Sequence, residues 1–347
     1  MTLRVLIVDD SALYRQLVRN VLRDIPGVEV VGQAKTGAEA LEKLPECNPH
    51  LLTLDVQMPD MNGLEVLHAL KKIRSTAKAI MLSSLTGEGT QVTTDALLAG
   101  AFDFIQKPNS NDASANRVAL LESLSDKVDA FRASVEIKMP RRAQTNVKEP
   151  AVRRGRIAAV VIGTSTGGPV ALREVLTKLP TTLKVPIFVV QHMPARYTKS
   201  LSDRLCESSL LPILEASDGM KIEPNMIYIA PGGLHMRISR SPKGPVIKTV
   251  DDPPENNCRP AVDYLFRSAA EVYGGNVLAV ILTGMGRDGT EGCRIIKQLG
   301  GSVIAQHPEG CVVYGMPKSV VEEQLADRVV PLEKIASWIV RIVESKE

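Results

Sequence analysis

A short glycine-rich segment carries the first pattern that could do chemistry. The sequence GTSTG at 163–167 follows an apolar run and precedes a helical pattern. The spacing G-x-S-x-G between a strand and a helix is typical of a nucleophile elbow, a sharp turn that exposes the hydroxyl of Ser165. A Walker A loop ends in Gly-Lys-Ser/Thr, and the dinucleotide motif needs a glycine at position 165, so both are disfavoured. The remaining alternative for Ser165 is a plain helix N-cap.

A serine nucleophile needs a general base and a carboxylate that orients the base. His192 directly follows a second predicted strand, and Asp288 comes shortly after a third. Because the carboxyl ends of parallel strands meet at one edge of a sheet, we predict a triad of Ser165, His192 and Asp288. The alternatives are a structural strand-end histidine, an N-cap role for Asp288, and His235 as the base.

A second group of polar residues ends the strands predicted in the N-terminal part of the chain. Asp9 and Asp10 follow the first strand, Asp55 the third, and Lys107 the fifth, while Ser83 lies near the end of the fourth. Clustered carboxylates repel one another unless a cation neutralises them, and hard oxygen ligands favour Mg²⁺. A lysine and a hydroxyl beside them would stabilise a phosphoryl group on one carboxylate. The alternative is that the aspartates only cap helices.

The alternation of apolar runs and amphipathic stretches predicts an α/β protein of two domains. Residues 1–125 contain five strand-then-helix units, which predict a doubly wound, mainly parallel (βα)₅ sheet. Residues 126–156 are predicted to be a basic linker. Residues 157–347 predict a second doubly wound, mainly parallel α/β domain, with the short strands of 226–250 forming an antiparallel hairpin or meander.

Composition excludes several classes of protein. The 347 residues carry a net charge of +3, but residues 132–156 alone contribute +6, so the rest of the chain is slightly acidic. With aromatic residues at only 3%, nucleic-acid binding is not expected. No apolar stretch approaches the length of a membrane span. The number and spacing of the five cysteines do not indicate disulfide pairs, so we expect reduced thiols in a cytoplasmic protein. Neither the cysteine spacing nor the histidine spacing predicts a zinc site.

The N-terminal residues resemble the receiver domain of response regulators, on the motif D-x-x-M-P-x-x-x-G that starts at Asp55, with Asp9-Asp10 before it and Lys107-Pro108 after it. The resemblance implies that Asp55 accepts a phosphoryl group from a histidine kinase. It implies three further sets of residues: Mg²⁺ ligands at Asp9, Asp10, Asp55 and the backbone carbonyl of Gln57; phosphoryl contacts from Ser83 and Lys107; and a switch aromatic at Phe104.

The whole chain resembles the family of chemotaxis protein-glutamate methylesterases/glutamine deamidases. The motifs that carry the match are GTSTGGP (163–169), QHMP (191–194), APGGLHM (230–236), CRPAVDYLF (258–266) and LTGMGRDG (282–289). The family's triad falls on Ser165, His192 and Asp288, and we place the oxyanion donors at the backbone N–H groups of Thr166 and Met285.

The resemblance also implies a substrate and partners, and the two strand-end sites in one chain lead to a hypothesis of regulation. The substrates are glutamyl methyl esters and glutamine amides on chemoreceptor cytoplasmic helices, and the esterase step needs no cofactor. Hydrolysis is expected to rise when phosphorylation of Asp55 releases the receiver from the esterase cleft, in a cytoplasmic protein recruited to membrane-bound receptor arrays. The alternative is a response regulator whose output domain binds a nucleotide or DNA without catalysis.

Overall fold

The structure is a computed structural model that describes residues 2–84, 86–135 and 156–345. The chain divides into two compact units, Met1–Arg132 and Ala133–Glu347. All five cysteines are unpaired, in agreement with the prediction of free thiols. Within the described residues, no helix is both long and apolar enough to cross a bilayer.

The first unit is a five-stranded parallel sheet in the order β2-β1-β3-β4-β5, with helices between successive strands. Its central strands are apolar on both faces and buried, as expected where helices cover both sides of a parallel sheet. The strands are β1 (Leu3–Val8), β2 (Val28–Ala34), β3 (Leu51–Asp55), β4 (Lys78–Ser83) and β5 (Asp103–Gln106), and the helices are α1 (Ala12–Asp24), α2 (Gly37–Cys47), α3 (Gly63–Lys72), α4 (Gly87–Leu98) and α5 (Ala113–Val135).

Helix α5 is longer than the sequence pattern indicated. It continues ten residues past the predicted domain end at residue 125, into the segment predicted as linker. The cause is an apolar stripe that continues along the helix, because Leu120, Leu124, Val128 and Phe131 are all buried. The rest of the predicted linker up to residue 155 lies outside the described residues.

The second unit is a seven-stranded parallel sheet in the order β14-β13-β12-β6-β7-β9-β8, with a separate antiparallel hairpin of β10 and β11. Its strands are β6 (Ala159–Thr164), β7 (Ile187–Gln191), β8 (Ile213–Glu215), β9 (Ile227–Ile229), β10 (His235–Ser239), β11 (Val246–Val250), β12 (Val277–Ile281), β13 (Ser302–Gln306) and β14 (Arg328–Val330). Its helices are α6 (Gly168–Leu176), α7 (Tyr197–Ser208), α8 (Val262–Tyr273), α9 (Thr290–Gln298), α10 (Met316–Glu322) and α11 (Leu332–Glu344).

The order of these strands creates a switch point beside β6. The chain proceeds from β6 to β7 on one side and later returns to place β12 on the other. In open α/β sheets, ligands bind at the carboxyl ends of the strands next to such a point. The segments after β6, β7 and β12 meet at this point, where backbone hydrogen bonds join them.

The predicted α/β architecture and the β10–β11 hairpin are confirmed, but one strand was assigned to the wrong sheet. Residues 226–230 were expected in the antiparallel hairpin or meander, whereas β9 lies in the parallel sheet between β7 and β8. All three residues of β9 are buried, as in a strand covered on both faces. The strands β8 and β14, of three residues each, are too short to give a periodic signal.

Candidate active site and acidic pocket

The turn after β6 has the geometry of a nucleophile elbow. Ser165 N–H donates to Thr283 O on the segment after β12 (3.0 Å), and Gly168 N–H closes the turn on Ser165 O (2.8 Å). Gly167 has φ +81°, and a Cβ there would lie 2.5 Å from Val312 Cγ2, so only glycine fits. Because Gly167 is the N-cap of α6 and no side chain caps this helix, the N-cap alternative for Ser165 is wrong.

The strand order places His192 beside this turn. His192 N–H donates to Thr164 O (3.2 Å), the residue before Ser165. The buried Gln191 amide joins the two segments, since its Nε2 donates to Ser165 O (3.0 Å) and to His192 O (3.2 Å). Sequence reasoning gave Gln191 no role, although it belongs to the QHMP motif. Ser165 Oγ makes no hydrogen bond within the described residues.

Asp288 binds the imidazole and the start of a helix at the same time. His192 Nε2 lies 2.8 Å from Asp288 Oδ2. The same carboxylate accepts hydrogen bonds from Val262 N–H (2.6 Å) and Asp263 N–H (3.0 Å), in the first turn of α8. The alternative of Asp288 as N-cap of α9 is wrong, because Gly289 holds that position. The positive end of the α8 dipole therefore stabilises the charge on Asp288.

A second carboxylate lies behind Asp288. Asn256 Nδ2 donates to Asp288 Oδ1 (2.9 Å) and to Asp263 Oδ2 (3.0 Å), and Asp263 Oδ1 accepts from Gly292 N–H (2.7 Å) in the first turn of α9. Burial and the nearby charge of Asp288 raise the pKa of Asp263 to about 6, against the hydrogen bonds that lower it. Sequence reasoning missed Asn256 and Asp263, since only long-range contacts give them a role.

The electrostatics of His192 depend on two neighbours. Burial disfavours the imidazolium, but the hydrogen bonds to Asp288 and Cys258 outweigh burial and raise the pKa of His192 to about 9. Conversely, burial acts to raise the pKa of Asp288, but the hydrogen bond from His192 holds that pKa below its usual range. Cys258 Sγ lies 3.4 Å from His192 Nδ1, the ring nitrogen that Asp288 leaves available. Sequence reasoning assigned no role to Cys258.

The rival base His235 is excluded by its contacts. Its side chain is fully buried at the start of β10. Nε2 lies 3.0 Å from Pro253 O, and Nδ1 accepts from Ala261 N–H (3.2 Å). With both ring nitrogens occupied by backbone groups, His235 is structural.

The predicted oxyanion donors lie on the segments that follow β6 and β12. Thr166 is buried, and its carbonyl accepts from Thr283 Oγ1 (3.0 Å), which ties the elbow to the segment after β12. Met285 follows Gly284, whose carbonyl accepts a hydrogen bond from Gly315 N–H (3.0 Å). The side chain of Met285 is exposed. The role of both amides in holding an oxyanion stays a prediction.

The acidic pocket of the first unit gathers the predicted carboxylates around one lysine. Lys107 Nζ lies 2.7 Å from Asp9 Oδ2 and 2.9 Å from Asp55 Oδ2, and both aspartates are buried. Asp10 is exposed, and one oxygen from each of the three carboxylates lies within 4.8 Å of the others. Burial and the nearby charge of Asp9 together raise the pKa of Asp55 to about 6, against the lowering by Lys107. This donor set fits a hard cation such as Mg²⁺.

The remaining predicted residues surround this pocket. Gln57 N–H lies 3.5 Å from Asp55 Oδ1. The role of the Gln57 carbonyl as a Mg²⁺ ligand stays a prediction. Ser83 is buried, and its hydroxyl accepts from Thr93 Oγ1 (2.7 Å) on α4. Phe104 is buried on β5. A phosphoryl contact from Ser83 and a switch at Phe104 stay predictions.

Comparison with protein families separates the same two parts of the chain. Residues 5–119 match the response regulator receiver domain, and residues 160–339 match the CheB methylesterase family. The second match covers more than half of the chain. The chain belongs to the CheB methylesterase family. Its members include a protein-glutamate methylesterase/protein-glutamine glutaminase from Desulfotalea psychrophila, 45% identical over 99% of both chains, and one from Thermotoga maritima, 44% identical over 98% of both.

A solved structure supports this membership for the second unit. The crystal structure of the CheB methylesterase catalytic domain from Thermotoga maritima is 46% identical, with a TM-score of 0.53, and the alignment covers 55% of this chain and all of that one. Because the second unit matches a CheB methylesterase domain, the alternative of a nucleotide- or DNA-binding output domain is disfavoured.

Proposed function

We propose that the chain hydrolyses glutamyl methyl esters and deamidates glutamines on the cytoplasmic helices of chemoreceptors. The observation that carries the proposal is the His192–Asp288 hydrogen bond of 2.8 Å at the switch point, next to the elbow that holds Ser165. Membership of the CheB methylesterase family supports the same chemistry.

In this mechanism His192 acts through Nδ1, because Nε2 is held by Asp288. The Ser165 hydroxyl replaces the Cys258 thiol as the partner of Nδ1, gives up its proton there, and attacks the side-chain carbonyl. The backbone N–H groups of Thr166 and Met285 hold the oxyanion. Protonated His192 then gives its proton to the leaving methanol or ammonia, and water attacks the acyl-serine to release glutamate.

Asp288 fixes the tautomer and stabilises the imidazolium that forms. Its two oxygens accept four hydrogen bonds, from His192, Asn256 and two amides of α8. A carboxylate held by this many donors stays in place while the imidazole changes charge.

We infer that the receiver unit is phosphorylated on Asp55 by a histidine kinase. Asp9, Asp10 and Asp55 would hold Mg²⁺, together with the Gln57 carbonyl, and the ion would neutralise the phosphoryl oxygens. Lys107 is placed to bind a phosphoryl oxygen, since its ammonium already contacts the Asp55 carboxylate. Ser83 and Phe104 would move towards the phosphoryl group and transmit its presence. The chain would then act in the cytoplasm at membrane-bound receptor arrays.

Methyl loss from receptor peptides tests the catalytic proposal. Methylated receptor fragments are incubated with the full chain and a small phosphodonor, and mass spectrometry follows the methyl esters while an ammonia assay follows deamidation. Ser165→Ala should abolish both reactions, whereas Ser337→Ala, a matched change at an exposed serine on α11, should abolish neither. Unchanged hydrolysis in Ser165→Ala would refute the triad.

Regulation is tested by the same assay with and without the phosphodonor. Hydrolysis should increase when Asp55 is phosphorylated, and Asp55→Asn should remove the increase. Equal rates, with Asp55 shown to be modified, would contradict the regulatory proposal and leave the catalytic one standing.

A further inference from the structure

The catalytic histidine has a thiol next to the nitrogen that must act as base. Cys258 Sγ lies 3.4 Å from His192 Nδ1, and one ligand atom from each of His192, Cys258 and Asp288 lies within 4.8 Å of the others. Cys258 and His192 are both partly exposed. Hydrolysis by Ser165 does not require a thiol at this position.

The spacing of the two atoms fits coordination of one tetrahedral ion. With Zn–S near 2.3 Å and Zn–N near 2.0–2.1 Å, a tetrahedral angle separates sulfur from nitrogen by about 3.5 Å. The observed separation is 3.4 Å. An ion displaced from the line between Sγ and Nδ1 could bind both atoms with little movement of either side chain.

Asp288 already makes the contact that metal-bound histidines usually have. A histidine that binds a metal through one nitrogen commonly donates its other N–H to a carboxylate, which fixes the tautomer and makes the ligand nitrogen more basic. His192 Nε2 lies 2.8 Å from Asp288 Oδ2. The Asp288 carboxylate also accepts hydrogen bonds from Asn256 and two backbone N–H groups, so we do not expect it to bind the ion directly. It would act by orienting the imidazole, and water would fill the other coordination positions.

We propose that Cys258 and His192 form an inhibitory site for a thiophilic divalent cation of the Zn²⁺ class. This inference rests on the proposed function only for its effect on hydrolysis. On binding, the Cys258 thiol and the His192 imidazolium each lose a proton to water, and the sulfur and His192 Nδ1 then each donate an electron pair to the ion. Nδ1 can then no longer accept the proton of Ser165, so metal-bound protein cannot start acyl transfer.

The site differs in chemistry from the acidic pocket of the receiver unit. That pocket offers oxygen ligands, which suit Mg²⁺, beside a lysine, whereas a thiolate and an imidazole select softer ions. One class of cation would support phosphorylation and another would block hydrolysis, so the two effects can be measured separately.

Binding is tested with Co²⁺ as a spectroscopic probe, on the full chain with excess Mg²⁺ present. Cobalt bound to a thiolate gives a near-ultraviolet charge-transfer band, which a carboxylate site does not give. We expect this band in the wild type, its loss in Cys258→Ser and Cys258→Ala, and its retention in Cys206→Ser. Cys206 is also partly exposed, and its sulfur accepts a hydrogen bond from Ile213 N–H. A wild type without the band, or a Cys258 variant that keeps it, would overturn the proposal.

Inhibition is then measured as hydrolysis against free Zn²⁺, with each variant compared with its own metal-free rate. At ten times the dissociation constant, the wild-type rate should fall roughly tenfold. Cys206→Ser should respond like the wild type, and Cys258→Ser should lose most of this response. If Zn²⁺ inhibits Cys258→Ser as strongly as it inhibits the wild type, the proposed metal site is refuted. A chain that binds cobalt through Cys258 but hydrolyses no ester refutes the proposed function instead.

Discussion

The base strength of His192 leads to a prediction about how hydrolysis depends on pH. The pKa of His192 is raised to about 9, and only the neutral imidazole can accept the proton of Ser165. At pH 7 about 1% of the imidazole is then neutral, against about three quarters for an ordinary histidine. Between pH 7 and pH 9 kcat/KM should therefore rise roughly 50-fold.

Replacing the thiol neighbour tests the cause of this shift. Cys258 contributes to the raised pKa of His192, so Cys258→Ala should lower that pKa and move the whole pH profile to lower pH. Each unit of movement corresponds to about tenfold in the neutral fraction at pH 7. Asp288 remains in the variant and still raises the pKa of His192 against burial, so the pH dependence should move without being lost.

The assay is initial-rate hydrolysis of a glutamyl methyl ester peptide from pH 6 to pH 10, at a fixed phosphorylation state and with metal removed. Ser165→Ala supplies the spontaneous alkaline hydrolysis to subtract. A wild-type profile that already levels off below pH 7 would refute the assignment of a raised pKa to the catalytic base. An unchanged midpoint in Cys258→Ala would refute the role of the thiol.

Three further predictions concern packing and the acidic pocket. Asp263→Ala leaves the buried Gly292 N–H without its acceptor and should lower the free energy of unfolding by about 1–3 kcal/mol in urea denaturation. Gly167→Ala combines positive φ with a clash against Val312 and should cost about 1–3 kcal/mol in the same measurement, together with most of the hydrolytic activity. Lys107→Ala should slow phosphoryl incorporation from a small phosphodonor roughly 100-fold, since a positive group at the phosphoryl oxygens is lost. Near wild-type values in any of these experiments would contradict the corresponding contact.

The parts of the site that sequence could predict are those fixed by strand order. Once the apolar runs before Ser165 and His192 are taken as parallel strands, both residues must end at the same edge of the sheet. The same argument located Asp9 and Lys107, which come together across nearly the whole length of the receiver unit. Periodicity and topology determine these positions without any knowledge of side-chain packing.

Cys258 and Asn256 could not be found in this way. Both lie in the irregular segment between β11 and α8, where neither period 2 nor period 3.6 constrains which side chains meet. Their roles depend on how this segment crosses the ends of β7 and β12, which is a tertiary contact. The capping role of Asp288 was misjudged for a related reason. Sequence proximity favours the helix that follows, whereas the carboxylate turns to the helix that precedes β12.

The arrangement around His192 makes one nitrogen the point of control. Asp288 is held by α8 and Asn256, so the Nε2 side of the ring has a single fixed partner. Nδ1 is the nitrogen that Asp288 leaves available, and its neighbour is the Cys258 thiol. With Cys258 there, the protonated imidazole is favoured, and only a small fraction of His192 is neutral at neutral pH. In the proposed mechanism the base acts when Ser165 takes that place, and in the proposed metal-bound form it cannot. Any influence that changes which partner occupies Nδ1 therefore changes the rate without altering the triad residues themselves.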